Sequence, residues 1–404
     1  MSTQQHVSRS FAAIPPMARV FLAMLERIKV GHLSLITPDG ERMLFGDARH
    51  EPWAIVTLHD WRACGRILSA GDIGFAEAYR QGWIDSPDLT SLLRLALQNE
   101  AALRSAITGG WLSQLWYNLL HRLRPNSRRG SRRNIHAHYD IGNAFYQRWL
   151  DESWTYSSAI FEDDRQRSLP AAQAAKYQRI VDTLGLHAGM KVLEVGCGWG
   201  GFAEHAARLG IAVHGITISP SQLEIARQRV AQAGLEQLAT LELRDYRDLS
   251  GEYDAIVSIE MFEAVGEQYW DGYFETLRRC LKPGGKALVQ SITLCESRFL
   301  SYRRSSDFIR EFIFLGGMLP SPERFAAHAA RRGLSLRSQY AFGHDYAETL
   351  RRWRANFEDQ LEAIRNQGFD ETFIRTWRLY FTYCEAGFDE ERTDVVQFEL
   401  QRRD

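Results

Sequence analysis

Lys191-Val192-Leu193-Glu194-Val195-Gly196-Cys197-Gly198-Trp199-Gly200-Gly201-Phe202 is the stretch on which the reading of this chain turns. The apolar run Val192, Leu193 and Val195 reads as a buried parallel strand. The glycines make a tight turn, and Phe202 to Leu209 reads as the helix that follows. Glycine belongs where backbone must pass close to a ligand with no Cβ in the way. Such a turn also offers backbone N–H groups and a helix N-terminus to whatever binds there. The pattern is the first βα unit of a doubly wound, nucleotide-type sheet.

Gly196, Gly198 and Gly201 also satisfy G-x-G-x-x-G, a weak signal by itself. A dinucleotide site carries an acid roughly 20 residues on, at the end of the second strand. That strand, Ala212 to Thr217, ends without one. Glu194, two residues before the first glycine, instead gives the E-x-G-x-G-x-G turn seen in S-adenosylmethionine (SAM) methyltransferases. SAM is therefore the favoured cofactor, with a nicotinamide cofactor and a purely structural glycine turn as the other readings.

Downstream, strands alternate with helices. Strands are expected at Ala239–Leu243, Tyr253–Ile259 and Lys286–Ile292, and helices at Gln222–Ala233 and Tyr269–Cys280, the latter closed by Lys282-Pro283-Gly284-Gly285. A helix over Ala171–Leu184 leads into the first strand. This spacing means a mainly parallel α/β sheet, with ligand groups at the C-terminal ends of its strands. Gly196–Gly201, Thr217, Asp245, Glu260, Glu263 and Gln290 should then surround one crevice.

Upstream, residues 1–103 read as a small α+β domain with no visible chemistry. A helix is expected over Met17–Val30, and a hairpin at His32–Thr37 and Arg42–Phe45 turns on Pro38-Asp39-Gly40. Trp53–Leu58 is a further strand, and a helix starts at Ser86-Pro87-Asp88 with Ser86 as its cap. Residues 104–133 hold a Trp-rich apolar helix running into Arg128-Arg129-Gly130-Ser131-Arg132-Arg133. This segment is either a core helix with a solvated linker or a membrane-surface element, since interfacial aromatics and arginines suit anionic head groups. No base-reading motif accompanies the arginines, so no nucleic-acid partner is expected.

The whole chain of 404 residues, 45% hydrophobic and with net charge −1, has room for two or three domains and no strong steering field. Its first third is basic and the remainder acidic. The cysteines Cys64, Cys197, Cys280, Cys295 and Cys384 form no C-x-x-C pair. This argues for reduced cytoplasmic thiols and against a zinc site, and no metal is expected. The N-terminus shows no signal-peptide apolar stretch, and no apolar run approaches a membrane span, so membrane contact should be peripheral.

Further motifs occur in a fixed order. His138-Tyr139-Asp140-Ile141-Gly142-Asn143-Ala144-Phe145-Tyr146 precedes Trp154-Thr155-Tyr156-Ser157-Ser158-Ala159. Gly215-Ile216-Thr217-Ile218-Ser219 with Gln222 comes next, then Met261-Phe262-Glu263-Ala264-Val265-Gly266. His344-Asp345-Tyr346, Thr349-Leu350 and Trp353 complete the set. Together they closely resemble the cyclopropane-fatty-acyl-phospholipid synthases and the related mycolic acid cyclopropane synthases, from about Ala137 to the C-terminus. Gly71-Asp72-Ile73-Gly74-Phe75-Ala76-Glu77-Ala78-Tyr79 also looks like part of the extra N-terminal domain of the phospholipid-acting bacterial members.

The resemblance implies a Rossmann-like SAM methyltransferase domain over residues 134–404, with a helical insertion at about 296–330 covering the acyl chain. It implies transfer of a methylene unit from SAM to a cis double bond in an unsaturated phospholipid. The protein would be peripheral on the inner face of the membrane and a homodimer. An alkene is a weak nucleophile, and its attack on the sulfonium methyl leaves a carbocation. The pocket must therefore exclude water; aromatic faces can stabilise the cation, and a base must remove a proton to close the ring.

By resemblance Tyr156, Ser157, Gly196, Thr217, Gln222, Asp245 and Tyr246 should line the SAM pocket, with Glu194, Gly198, Gly200 and Glu260 completing the cofactor set. Thr217 and Gln222 also admit a plain helix-capping role. Tyr302, Phe308, Phe312 and Phe314 should face the acyl tunnel or pack in the core. The family's base is a bicarbonate ion fixed by a Cys, a Glu, a His, a Tyr and a backbone N–H. Here Glu263 and Tyr346 match the Glu and the Tyr, and Ile292 offers the N–H. Ser158 and Gln290 stand where many members have Cys and His. Both carry hydrogen-bond donors, but Gln cannot share a proton as His can. This opens a second outcome, a methyl branch beside a retained double bond. Cys384 matches a cysteine proposed as functional in the family, but it has no base-like neighbour in sequence and reads as packing.

Overall fold

The computed structural model describes residues 14–104 and 141–403. The Trp-rich helix and basic linker expected at 104–133, and His138 to Asp140 of the first family motif, lie almost wholly outside them. The chain divides into two compact units, residues 1–115 and 116–404.

In the first unit β1 (His32–Ile36) pairs antiparallel with β2 (Arg42–Gly46) and parallel with β3 (Trp53–Leu58). A two-residue strand, β4 (Ile84–Asp85), completes the order β2-β1-β3-β4. The expected hairpin and third strand are present. The first helix is shorter than its apolar spacing suggests, Pro16–Leu25. The helix Leu89–Gln98 is capped by Asp88, whose carboxylate accepts from the Ser91 N–H at 3.0 Å. The expected cap was Ser86; its hydroxyl accepts from the Asp88 N–H instead, two residues too early. Asp88 wins because it stands directly before the first helical residue. The helix Arg62–Arg80 breaks at Gly71, and a Cβ on Gly74 would meet the Arg66 carbonyl oxygen. The glycines of that motif are thus explained by a kink and a close backbone approach.

The second unit is built on a seven-stranded sheet in the order β10-β11-β9-β8-β5-β6-β7. Its parallel part comprises β5 (Lys191–Val195), β6 (Ala212–Thr217), β7 (Ala239–Leu243), β8 (Tyr253–Ile259) and β9 (Leu281–Leu294). Successive strand residues face opposite sides, and both sides are buried. Leu193, Val195, Ile256 and Val289 pack against Trp270, Phe274 and Phe325. Val192, Val213, Val257 and Leu288 pack against Tyr177, Ile180, Phe202 and Leu223. The strand order reverses between β5 and β8, and the ends of the strands there form the crevice expected of this fold.

Two strands at the far edge had no counterpart in the sequence reading. β11 (Thr393–Arg402) lies antiparallel between β9 and β10 (Leu334–Ala341). Its register sets Gln397 opposite Gln290. β9 also begins at Leu281, so Lys282-Pro283-Gly284-Gly285 belongs to an irregular strand start where pairing with β8 shifts register. The segment expected to cover the acyl chain holds the helices Glu296–Arg304 and Pro322–Arg331 around a π-turn, Ile309–Ile313. No helix among the described residues is long and apolar enough to cross a membrane.

Candidate active site

The turn after β5 takes the conformation its glycines permit, with positive φ at Gly196, Gly198 and Gly200. The N–H groups of Gly196 and Cys197 donate to the Ile216 carbonyl at 3.0 and 2.9 Å, pinning the turn to β6. A Cβ on Gly200 would press on Ala226 at 3.1 Å, whereas one on Gly198 would meet nothing within 4 Å. Gly200 is therefore needed for packing, and Gly198 opens onto free space.

Glu194 is buried, and one of its carboxylate oxygens has no hydrogen-bond partner. Burial pushes its carboxyl up to about 8, opposed by Lys176. Lys176 is itself completely buried and donates to the Ser157 hydroxyl at 2.6 Å and the Gln173 side-chain oxygen at 2.7 Å. Burial pulls its ammonium down, while Glu260, Asp151 and Glu194 hold it up. The Thr217 hydroxyl donates to Gln222 at 3.1 Å. The cap of the helix Pro220–Gln232 is Ser219, so Thr217 is spared that role. Asp245 is engaged by Arg247, whose Nε lies 2.8 Å from one oxygen and whose terminal nitrogen lies 2.6 Å from the other. Tyr246 sits edge-on to Tyr273 at 5.6 Å. A buried acid with an unused oxygen, beside a glycine turn open to space, suits a ligand carrying both a cation and hydrogen-bond donors, as SAM does.

At the ends of β8 and β9 stands a second cluster, centred on Glu260. The sequence reading grouped Glu260 with the cofactor residues, but its carboxylate faces the groups expected to hold the base. One oxygen accepts from the Ser158 N–H and from the Gln290 amide, both at 2.8 Å. The other accepts from the Tyr346 hydroxyl at 2.7 Å. Gln290 cannot flip without loss, because its oxygen accepts from Gln397 at 3.0 Å. The Ser158 hydroxyl turns away and donates to the Ala159 carbonyl at 3.0 Å. Glu260 has φ of 48°, a left-handed conformation that costs a non-glycine residue energy and recurs at functional sites. Burial raises its carboxyl, with the Tyr346 hydrogen bond and Lys176 opposing.

Glu263 lies beside it. Its Oε1 accepts from the Ile292 N–H at 2.5 Å and the Ser291 hydroxyl at 3.1 Å, and its Oε2 has no partner. Burial and the neighbouring Glu260 push it up to about 8. The residues expected to cradle bicarbonate are thus brought together, but Ser158, Gln290 and Tyr346 serve Glu260 while Ile292 serves Glu263.

An aromatic wall adjoins this pair. The Tyr156 ring packs 5.4 Å from Trp353 and 6.3 Å from Phe314, and its hydroxyl donates to Tyr380 at 2.9 Å. Tyr346 stacks on Phe388 at 4.6 Å and meets Trp353 edge-on at 6.1 Å. Of the insertion aromatics, Phe314 reaches this wall, while Phe308 is buried between Phe312 and Tyr383. Tyr302 accepts from the Leu319 N–H and lies under Arg310 at 4.7 Å. Cys384 sits in the helix Glu371–Asp389, and burial raises its thiol, which suits packing rather than a thiolate role.

Sequence reasoning missed Lys176, Ser291, Gln397 and Tyr380. Lys176 alone left a signal, a lysine on the apolar side of the helix before β5. Among the described residues no group of His, Cys, Asp and Glu side chains could hold a metal ion.

Comparison with known proteins gives a family. The family model for mycolic acid cyclopropane synthetase matches residues 126–398. The tuberculostearic acid methyltransferase UfaA1 of Mycobacterium tuberculosis is 38% identical over 355 residues, 83% of this chain and 80% of that protein. The cyclopropane-fatty-acyl-phospholipid synthase of Escherichia coli K12 is 33% identical over 328 residues, 80% of this chain and 81% of that protein. Among solved structures, mycolic acid cyclopropane synthase CmaA1 complexed with SAH and CTAB superposes with a TM-score of 0.62 at 31% identity, covering 67% of this chain and 98% of that one.

Proposed function

Starting from the fact that the chain belongs to the mycolic acid cyclopropane synthetase family and is a SAM-dependent methyltransferase, we propose that it acts on a cis double bond of an unsaturated acyl chain in a membrane phospholipid. The product is a cyclopropane fatty acyl chain. One observation carries this reading: two partly buried carboxylates, Glu260 and Glu263, stand together just past the end of β8, and Tyr346, which donates to Glu260, belongs to an aromatic wall. SAM supplies an electrophilic methyl group, and the chain supplies the remaining requirements. Tyr156, Tyr346 and Trp353 present ring faces and edges that exclude water and stabilise positive charge on the acyl chain. One carboxylate of this pair offers a proton acceptor within that shielded space.

A second product is favoured by Gln290 in the place of a histidine, and by the similarity to a tuberculostearic acid methyltransferase. Loss of a proton from a neighbouring carbon would leave a methyl branch and a double bond. Incubation with SAM and vesicles of dioleoyl phosphatidylethanolamine and dioleoyl phosphatidylglycerol, followed by mass analysis of the acyl chains, tests both. A gain of one CH2 with the double bond lost gives the cyclopropane; the same gain with the double bond retained gives the branched product. No mass gain with any cis-unsaturated lipid would sink the reading. The same proposal makes the protein peripheral on the inner membrane face, with the segment 104–133 meeting the lipid.

A further inference from the structure

The family resemblance implies a bicarbonate ion as the base, and the donors present here do not leave room for one. Of the residues expected to hold it, Ser158 through its backbone N–H, Gln290 through its amide and Tyr346 through its hydroxyl all donate to the carboxylate of Glu260. The Ile292 N–H donates to Glu263. A planar three-oxygen anion and a carboxylate offer similar acceptor oxygens to the same donors. Resting on the methyl transfer proposed above, we infer that the side chain of Glu260 takes the place of bicarbonate and is itself the catalytic base, so that this protein needs no exchangeable anion.

Three features of the site fit that role. Gln290 is a fixed donor, oriented by Gln397, and a fixed donor matches a permanent carboxylate better than a proton-sharing histidine would. Ser158 contributes its backbone and not its side chain, so the change from Cys costs the site nothing. The left-handed backbone of Glu260 holds a non-glycine residue where glycine would be at ease, a cost that a function would justify.

The step balances without any further reactant. The π electrons of the alkene form a bond to the sulfonium methyl carbon as its bond to sulfur breaks, leaving S-adenosylhomocysteine and a carbocation on the acyl chain. A C–H bond of the transferred methyl group then breaks. Its proton passes to a Glu260 oxygen, and its electron pair closes the ring onto the cationic carbon.

The test is turnover on dioleoyl phospholipid vesicles in buffer stripped of carbon dioxide, with and without added bicarbonate. The wild-type rate is expected to be unchanged by stripping. Glu260→Gln should lose at least about a hundredfold in kcat while retaining its stabilisation by SAM, which shows that it is folded. Glu260→Gly, whose backbone suits the site, should be as slow in stripped buffer and regain rate when bicarbonate is added. A wild type that loses rate on stripping and recovers with bicarbonate overturns the inference, as does a Glu260→Gln variant with the full rate. Those results leave the proposed reaction standing, whereas a wild type with no activity on any cis-unsaturated lipid removes the reaction and the inference together.

Discussion

The two halves of the crevice were built from sequence in opposite ways. The cofactor side is local: Glu194, Gly196, Gly198 and Gly200 are every second residue of one strand and turn, and their spacing alone gives the conformation. The base side is assembled from distant parts of the chain. Ser158, Glu260, Gln290 and Tyr346 meet only because the strand order and the helix Gly343–Asp359 bring them together. Local sites tolerate distant change and fail when one backbone position is altered. Assembled sites depend on partners whose roles are set by who reaches whom.

Glu260 is where altering the assembled half costs most, as argued above. Next comes Lys176, which ties the halves together by lying near Glu194, Glu260 and Asp151. Lys176→Met removes a buried cation that opposes these acids and leaves Ser157 and Gln173 without its donated hydrogen bonds. Breaking a buried ionic group in this way should cost about 3 kcal/mol, read by urea unfolding at pH 7. A variant as stable as the wild type would mean that the two halves are not electrostatically joined.

The local half can be separated into packing and binding. Gly200→Val meets Ala226 at a position of positive φ, so it should lose about 2 kcal/mol of stability. Gly198→Val bears the same kind of positive-φ strain but meets no neighbour, so it should lose less, and it projects into the open side of the turn. The expected outcome is a Gly198→Val protein that melts between Gly200→Val and the wild type and no longer gains stability from SAM. If both variants bind SAM normally, the turn is structural.

The parallel sheet, its strand bounds at β7 and β8 and the glycine turn were legible because apolar periodicity and turn chemistry are properties of neighbouring residues. The pairing of β11 between β9 and β10 was not, since an antiparallel strand that pairs with β9 from over 100 residues downstream leaves no local trace. Glu260 was legible as a site residue but not in its role. Placing it required knowing that the strand-end turn aims its carboxylate at Ser158, Gln290 and Tyr346 rather than at the cofactor turn. Asp245 is expected to line the SAM pocket, and the Arg247 that engages its carboxylate lies only two residues on. That case shows how a correct strand-end position still leaves a side chain's partner open.

Glu263 sharpens the comparison through pH. Its carboxyl is pushed from the usual 4.5 to about 8 in the folded protein, by burial and by Glu260. The folded state therefore holds the proton more tightly than the unfolded chain. Its contribution to stability is full below about 4.5 and is lost as pH rises through about 8. Glu263→Gln resembles the protonated acid and should flatten this part of the decline, measured as Tm against pH from 5 to about 9. Glu194, raised by burial in the same direction, should leave a residual slope in both proteins. An unchanged profile would mean that Glu263 is ionised in the fold.

Cys384 should show the smallest effect, and for that reason it tests whether the base side contains anything besides its carboxylates. Its thiol is raised by burial and, among the described contacts, no base accepts its proton, so it is held as a neutral packing group on the helix Glu371–Asp389. Cys384→Ala should lower stability by about 1 kcal/mol and keep kcat within about twofold, with an unaltered pH profile. A functional thiolate would behave otherwise: activity would climb with pH in the wild type along the thiol titration, and the alanine variant would lose that limb along with most of its rate. Proton removal would then be shared with sulfur, and the carboxylate of Glu260 could not be the whole of the base.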